Sequence, residues 1–305
     1  MNALQLTGII PPLVTPLDAT GEVDRSAMAR LIDHVITGGV NGLFVLGTTG
    51  EGPSLAQQQR RDVIAMACDL TAGRVPVLVG ISDTSLEDAL SLANHAEICG
   101  ASAVVAAPPY YFPMTQSDLG RYFVDLAERS ALPLVLYNMP ACVRTKIEPD
   151  TLEFCTRSAR ILGVKDSSGD MAAFRRMLEV RKLRPDWKFL VGPELLLVEA
   201  TLAGGDGGVS GGANLEPALF VATYEAAKRR DLEEAARLSR QIEELGRIYK
   251  VGHDFMAVAR GIKGALEIVG LCSREMAPPF RGCDEGEMQA IAELLASRSR
   301  QEIRS

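Results

Sequence analysis

Eight short apolar runs alternate with longer amphipathic stretches, and this alternation constrains the fold of the chain most. The runs are Ile9–Val14, Gly42–Leu46, Val75–Gly80, Ser102–Ala106, Pro133–Tyr137, Ile161–Lys165, Lys188–Val191 and Gly207–Ser210. They are short and partly β-branched, which reads as buried strand. Between them, Asp24–Thr37, Ala56–Thr71, Ser85–Ile98, Gln116–Ser130 and Asp170–Leu183 carry helical patterns, with start signals at Ser54 and Asp170. Strand–helix units of roughly 20–35 residues imply parallel pairing. Eight of them are the number that closes a (β/α)8 barrel of about 250 residues. An open doubly wound sheet would usually show a GxGxxG turn after its first strand, where this chain has Pro16-Leu17-Asp18.

Residues 1–230 therefore read as the barrel and 231–305 as a C-terminal helical extension packed on it, with helical patterns over Asp231–Tyr249, Phe255–Val269 and Glu285–Ser297. Neither a linker nor an internal repeat beyond the βα alternation divides the chain. The formal charge of −7 and the lack of a basic cluster argue against nucleic acid as a partner. Six cysteines without a CxxC pair or metal spacing point to free thiols and a reducing, cytoplasmic setting. No signal-peptide pattern is visible, and no apolar segment reaches the ~20 residues that span a bilayer. His34, His95 and His253 fall in helical patterns and read as surface or packing residues, and the charges of Glu225–Arg240 read as a solvated helix face.

In such a barrel the active site lies at the carboxyl ends of the strands. Lys165 ends the sixth run and is followed by the polar Asp166-Ser167-Ser168-Gly169-Asp170. A cation is costly at a buried strand end, and a neutral amine in an apolar pocket is the nucleophile of Schiff-base chemistry. A lysine can equally lay its stem along the wall and reach water, so its neighbours decide. The second run ends in Gly47-Thr48-Thr49-Gly50-Glu51, whose glycines allow a sharp turn that offers hydroxyls and amides to a small carboxylate. The same pattern also suits a plain turn that caps the next helix. Tyr137 ends the fifth run with a phenol able to donate and accept protons, although a core tyrosine with a satisfied hydroxyl is the simpler alternative. Tyr110 and Tyr111 follow the fourth run and suit either the core or a subunit contact. The glycines of Gly204–Gly212 resemble a phosphate loop, but the absence of lysine or arginine there favours close backbone packing at the last strand.

Taken in order, GTTGE, PYY, YN-P, GVKD-SG and GG-GG-S--AN resemble the dihydrodipicolinate synthase/N-acetylneuraminate lyase family of class I aldolases, from about Ile9 to the C-terminal helices. The resemblance implies a (β/α)8 barrel, usually assembled as a homotetramer (a dimer of dimers), with no metal and no cofactor beyond a covalent imine on Lys165. It implies that Lys165 forms that imine with pyruvate or another 2-oxo acid and that Tyr137 relays protons. Thr48 would link Tyr137 to a Tyr111 reaching over from a neighbouring subunit. Thr49, Gly47 and the adjacent amides would hold the pyruvate carboxylate, and Val209 would turn a backbone carbonyl to the substrate.

Departures bear on the second substrate. Dihydrodipicolinate synthases place arginine two residues after the YN-P proline, where this chain has Cys142, and Arg144 stands two positions further on. A thiol cannot pair with a carboxylate as a guanidinium does. Gly52, Pro53, Gln57 and Arg60 lack the polar pattern of lysine-inhibited synthases. Ser167 fits the sialic acid lyases, but their Asp-Glu pair is Glu194-Leu195 here, and Gly211 replaces a serine. The expectation is reversible aldol cleavage of a 2-keto-3-deoxy sugar acid or a similar 2-oxo acid. Dihydrodipicolinate synthesis from pyruvate and aspartate semialdehyde, an imine-dependent dehydratase, and a non-catalytic 2-oxo acid sensor are the alternatives.

Overall fold

The computed structural model describes residues 4–252 and 254–302, so His253 lies outside the described residues. Eight parallel strands, β1 (Gly8–Ile9), β2 (Leu43–Val45), β3 (Val77–Gly80), β4 (Ala103–Ala106), β5 (Leu134–Asn138), β6 (Ile161–Asp166), β7 (Lys188–Val191) and β8 (Gly207–Gly208), run in the order β1-β8-β7-β6-β5-β4-β3-β2. β1 is much shorter than the apolar run Ile9–Val14, because Pro11 and Pro12 have no N–H to give to a ladder. The barrel still closes there: Asn41 N–H donates to Ile9 O (2.7 Å), Phe44 N–H to Pro11 O (3.0 Å) and Leu13 N–H to Phe44 O (2.9 Å). On the other side of β1 the backbones touch so closely that a Cβ on Gly207 would lie 2.0 Å from Gly8 O. This is the backbone packing expected of the glycine-rich stretch.

Strict alternation along β6 would misplace the lysine. Ile161 pairs with Leu134, and both point to the helical layer. Counting by twos from Ile161 would put residues 163 and 165 outside as well. A register shift intervenes, so that Gly163 pairs with Val135, Val164 with Leu136 and Lys165 with Tyr137. Val135 and Tyr137 belong to the barrel interior with Ile10, Phe44, Val105 and Leu190, so this bulge turns Lys165 inward. Gly163 makes it possible: its φ is +145° and a Cβ would lie 1.9 Å from Lys188 O. Gly163→Ala is expected to destabilise the fold by more than about 3 kcal/mol, read as a fall in the chemical denaturation midpoint at unchanged slope. A variant with the parental midpoint would contradict the account of the bulge.

Helices cover the barrel. Asp24, Ser85, Thr115 and Asp170 each accept a backbone N–H at the start of Arg25–Thr37, Leu86–Ile98, Gln116–Arg129 and Met171–Leu178. Ser54 does not start the second helix. It ends a 3₁₀ turn (Gly52–Ser54), and Gln57–Thr71 begins beyond Ala56, whose N–H is taken by Gln59 Oε1 (3.0 Å). The helix expected over Asp170–Leu183 passes into a 3₁₀ turn at Glu179. After the barrel come Leu232–Leu245 with a 3₁₀ turn Gly246–Lys250, then Ala257–Ile268 and Glu285–Glu302. Ile242, Leu245, Ile248 and Ile262 share the core that lies between the strands and the helices, which fixes this extension on the barrel.

Candidate active site

Parallel strands place their carboxyl ends at one mouth, and the register brings β5 and β6 there together. Tyr137 pairs with Lys165, and Asn138 with Asp166. Both Lys165 and Tyr137 are 5% exposed. Lys165 Nζ lies 4.1 Å from the centre of the Tyr137 ring and 4.9 Å from that of Phe44. The two rings meet edge to face (6.2 Å, 87°), which fixes the Tyr137 ring and directs its hydroxyl. That hydroxyl is 3.2 Å from Thr48 Oγ1. The outward neighbours form a brace: Asn138 Nδ2 donates to Asp166 Oδ1 (2.6 Å) and Asn138 Oδ1 accepts Ile147 N–H (2.9 Å). Burial pushes the Asp166 carboxyl up, against hydrogen bonds from Asn138 and Ser168 that pull it down.

Two cavities share the wall formed by Thr48, Tyr137, Met139 and Phe255. The larger, about 540 Å³, contains Lys165, Thr49, Ser167 and Val209 with Glu194 and Gly211. The C-terminal extension closes it with Tyr249, Lys250 and Val258. The smaller, about 350 Å³, holds Gly47 and Cys142. Cys142 stands beside the Thr48–Tyr137 pair, with its sulfur 4.0 Å from Thr48 Oγ1. Burial raises its thiol, opposed by the Thr48 hydrogen bond and by the Lys165 charge. Arg144 lines neither cavity; it takes a left-handed conformation (φ 57°) after the short helix Pro140–Val143. Tyr111 is 75% exposed, packs on Phe112 and lines neither cavity. His34 and His95 bond the backbone oxygens of Leu215 and Arg61, as packing residues do. The cysteines are free, and among the described residues no group of His, Cys, Asp or Glu is placed to hold a metal ion.

Reasoning from sequence gave Tyr249 no role. It ends the first helical pattern of the extension, and its hydroxyl donates to Glu194 (3.0 and 3.2 Å), which also accepts Gly212 N–H (2.6 Å). Burial pushes the Glu194 carboxyl up, and burial with the Glu194 charge holds the Tyr249 phenol well above its usual range. An acid raised in the folded state binds its proton more tightly there than in the unfolded chain. Stability therefore falls as pH rises from the ordinary glutamate range through the raised value. Glu194→Gln removes the group, so the denaturation midpoint should decline less over that interval. An unchanged pH profile would mean that Glu194 is not the group responsible.

The chain matches the model of the Dihydrodipicolinate synthetase family over residues 5–298. It is 33% identical over 297 residues to a probable 2-dehydro-3-deoxy-D-pentonate aldolase, YjhH, of Escherichia coli K12, covering 96% of this chain and 98% of that one. A 4-hydroxy-tetrahydrodipicolinate synthase of Methanopyrus kandleri is 33% identical over 293 residues, covering 95% and 96%. Among solved structures, a dihydrodipicolinate synthase of Bacteroides thetaiotaomicron superposes with a TM-score of 0.94 at 43% identity, covering 97% and 100%. YagE of E. coli K12, in complex with pyruvate, gives 0.90 at 32%, covering 96% and 98%. No helix among the described residues is long and apolar enough to cross a membrane. In sequence and in fold, over nearly its whole length, the chain belongs to the dihydrodipicolinate synthetase family, a family of (β/α)8 lyases.

Proposed function

We propose that the protein is a class I lyase in which Lys165 forms an imine with pyruvate, or with a 2-oxo acid that yields pyruvate. The observation that carries this reading is the register pairing of Tyr137 with Lys165, which brings a phenol, a threonine and the amine to one cavity. The amine attacks the ketone carbon, and loss of water gives a protonated imine. Cleavage of the bond between C3 and C4 sends its electron pair into the imine, leaving an enamine and an aldehyde. Tyr137, linked to Thr48, takes and returns the protons of these steps. Thr49 and its neighbouring amides hold the carboxylate, and Val209 and Ser167 border the substrate. No cofactor takes part.

We infer that the aldehyde is hydroxylated, from a 2-keto-3-deoxy sugar acid. Glu194 and Tyr249 offer hydrogen-bonding oxygens in the Lys165 cavity, no arginine among the described residues lines it, and YjhH and YagE bear aldolase names of that kind. The carboxylate of aspartate semialdehyde would meet Glu194 with Lys250 nearby but, among the described residues, no guanidinium to hold it in a bidentate pair. The exposed Tyr111 fits the part of a residue lent to a neighbouring copy in a homotetramer. Cleavage assays over a panel of 2-keto-3-deoxy sugar acids, beside condensation of pyruvate with aspartate semialdehyde, test the reading. A preference for the condensation by kcat/KM would replace it with the synthase reaction.

A further inference from the structure

Each oxygen of the Glu51 carboxylate meets the C-terminal extension. Glu51 closes the threonine turn: its N–H donates to Thr48 O (3.1 Å), and the next residue, Gly52, donates to Gly47 O (3.2 Å). It is not glycine, yet its backbone is left-handed (φ 58°, ψ 19°). Such a conformation persists where the surroundings over-determine it. Here they do. Glu51 Oε1 lies 2.5 Å from Lys263 Nζ, and Oε2 accepts Ala277 N–H (2.7 Å). Lys263 is 0% exposed, in the helix Ala257–Ile268, and donates a hydrogen bond to Glu275 O (2.5 Å).

A buried ion pair of this kind is weak evidence for stability, because desolvation offsets much of the attraction. Geometry is the more telling aspect. The pair joins the turn that carries Thr48 and Thr49 to the helix that supplies Val258 to the Lys165 cavity and follows directly on Met256 of the neighbouring one. We propose that Lys263, acting through Glu51, is a positioning residue that sets the Thr48–Thr49 turn against Tyr137, so that the C-terminal extension is part of the catalytic apparatus. Lys263 touches no substrate. Without it, Glu51 is left as a buried carboxylate lacking its cation and is drawn toward water, and the turn follows.

This rests on the imine reading, and the test separates the two. Lys263→Met, Glu51→Gln and the double variant are compared with the parent, each well below its own melting temperature by circular dichroism. Borohydride trapping of pyruvate is measured beside kcat and KM. Lys263→Met should still trap pyruvate on Lys165, while kcat falls about 100-fold, the scale of an ångström of misplacement. The double variant carries neither buried charge and should recover at least tenfold of that loss. A purely structural role would lower the melting temperature of Lys263→Met but leave kcat and KM at parental values in the folded protein, and that result overturns the proposal. If Lys263→Met does not fold, Glu51→Gln, which keeps the size of the side chain and its bond to Ala277, decides by the same criterion. Failure of the parent itself to trap pyruvate would instead remove the imine reading.

Discussion

Lys165→Ala is expected to abolish turnover, by at least about 10⁴-fold in kcat, while the barrel keeps its melting temperature to within a few degrees. Removal of a covalent nucleophile takes away the pathway and not one interaction along it, so the loss is far larger than that of a binding contact. The fold should tolerate the change because the amine makes no ion pair among the described residues and rests on the faces of Tyr137 and Phe44. Such cation–π contact is worth only about 0.5–2 kcal/mol. Lys165→Arg should be no better, since a guanidinium stays protonated and cannot form the imine. Steady-state cleavage assays with thermal melts check both halves. A Lys165→Ala variant keeping more than a hundredth of parental kcat would remove Lys165 from the chemistry.

Tyr137→Phe should lower kcat by about 10²–10⁴-fold, the range of general acid–base catalysis, with little change in stability. The ring and its edge-to-face packing on Phe44 survive the substitution; only the hydroxyl, whose partner is the partly exposed Thr48, is lost. A loss confined to KM would mean that the hydroxyl binds substrate and relays nothing.

Much of this was legible in the sequence. Each of the eight apolar runs overlaps a strand, because a buried parallel strand must be apolar on both faces and bounded by turns, and that leaves a plain mark. The ends of the second, fifth and sixth runs were legible to within a residue, so Thr48, Thr49, Tyr137 and Lys165 could be placed at one mouth. What composition does not encode is phase. Whether Lys165 points in or out depends on the bulge at Gly163, and a glycine in a short run says only that something irregular is nearby. Cys142, expected to border the second substrate, stands on the short helix Pro140–Val143 in the adjoining cavity, 4.0 Å from Thr48 Oγ1, a placement that spacing alone does not give. Nor does spacing reveal partners far apart in the chain. Glu194 with Tyr249, and Glu51 with Lys263, meet only because the extension folds back over the mouth. One signal was available: Lys263 stands in the apolar stretch Gly261-Ile262-Lys263-Gly264-Ala265-Leu266, where a lysine needs a partner.

Imine formation at Lys165 is the claim on which the rest depends, and peptide mapping after borohydride reduction measures it most directly. Incubation with pyruvate and reductant should abolish activity and add one reduced pyruvate to the peptide that contains Lys165. The addition should be absent without pyruvate and absent from the Lys165→Ala variant. An unmodified Lys165 peptide in active enzyme treated in this way, or label on a different lysine, would contradict the account.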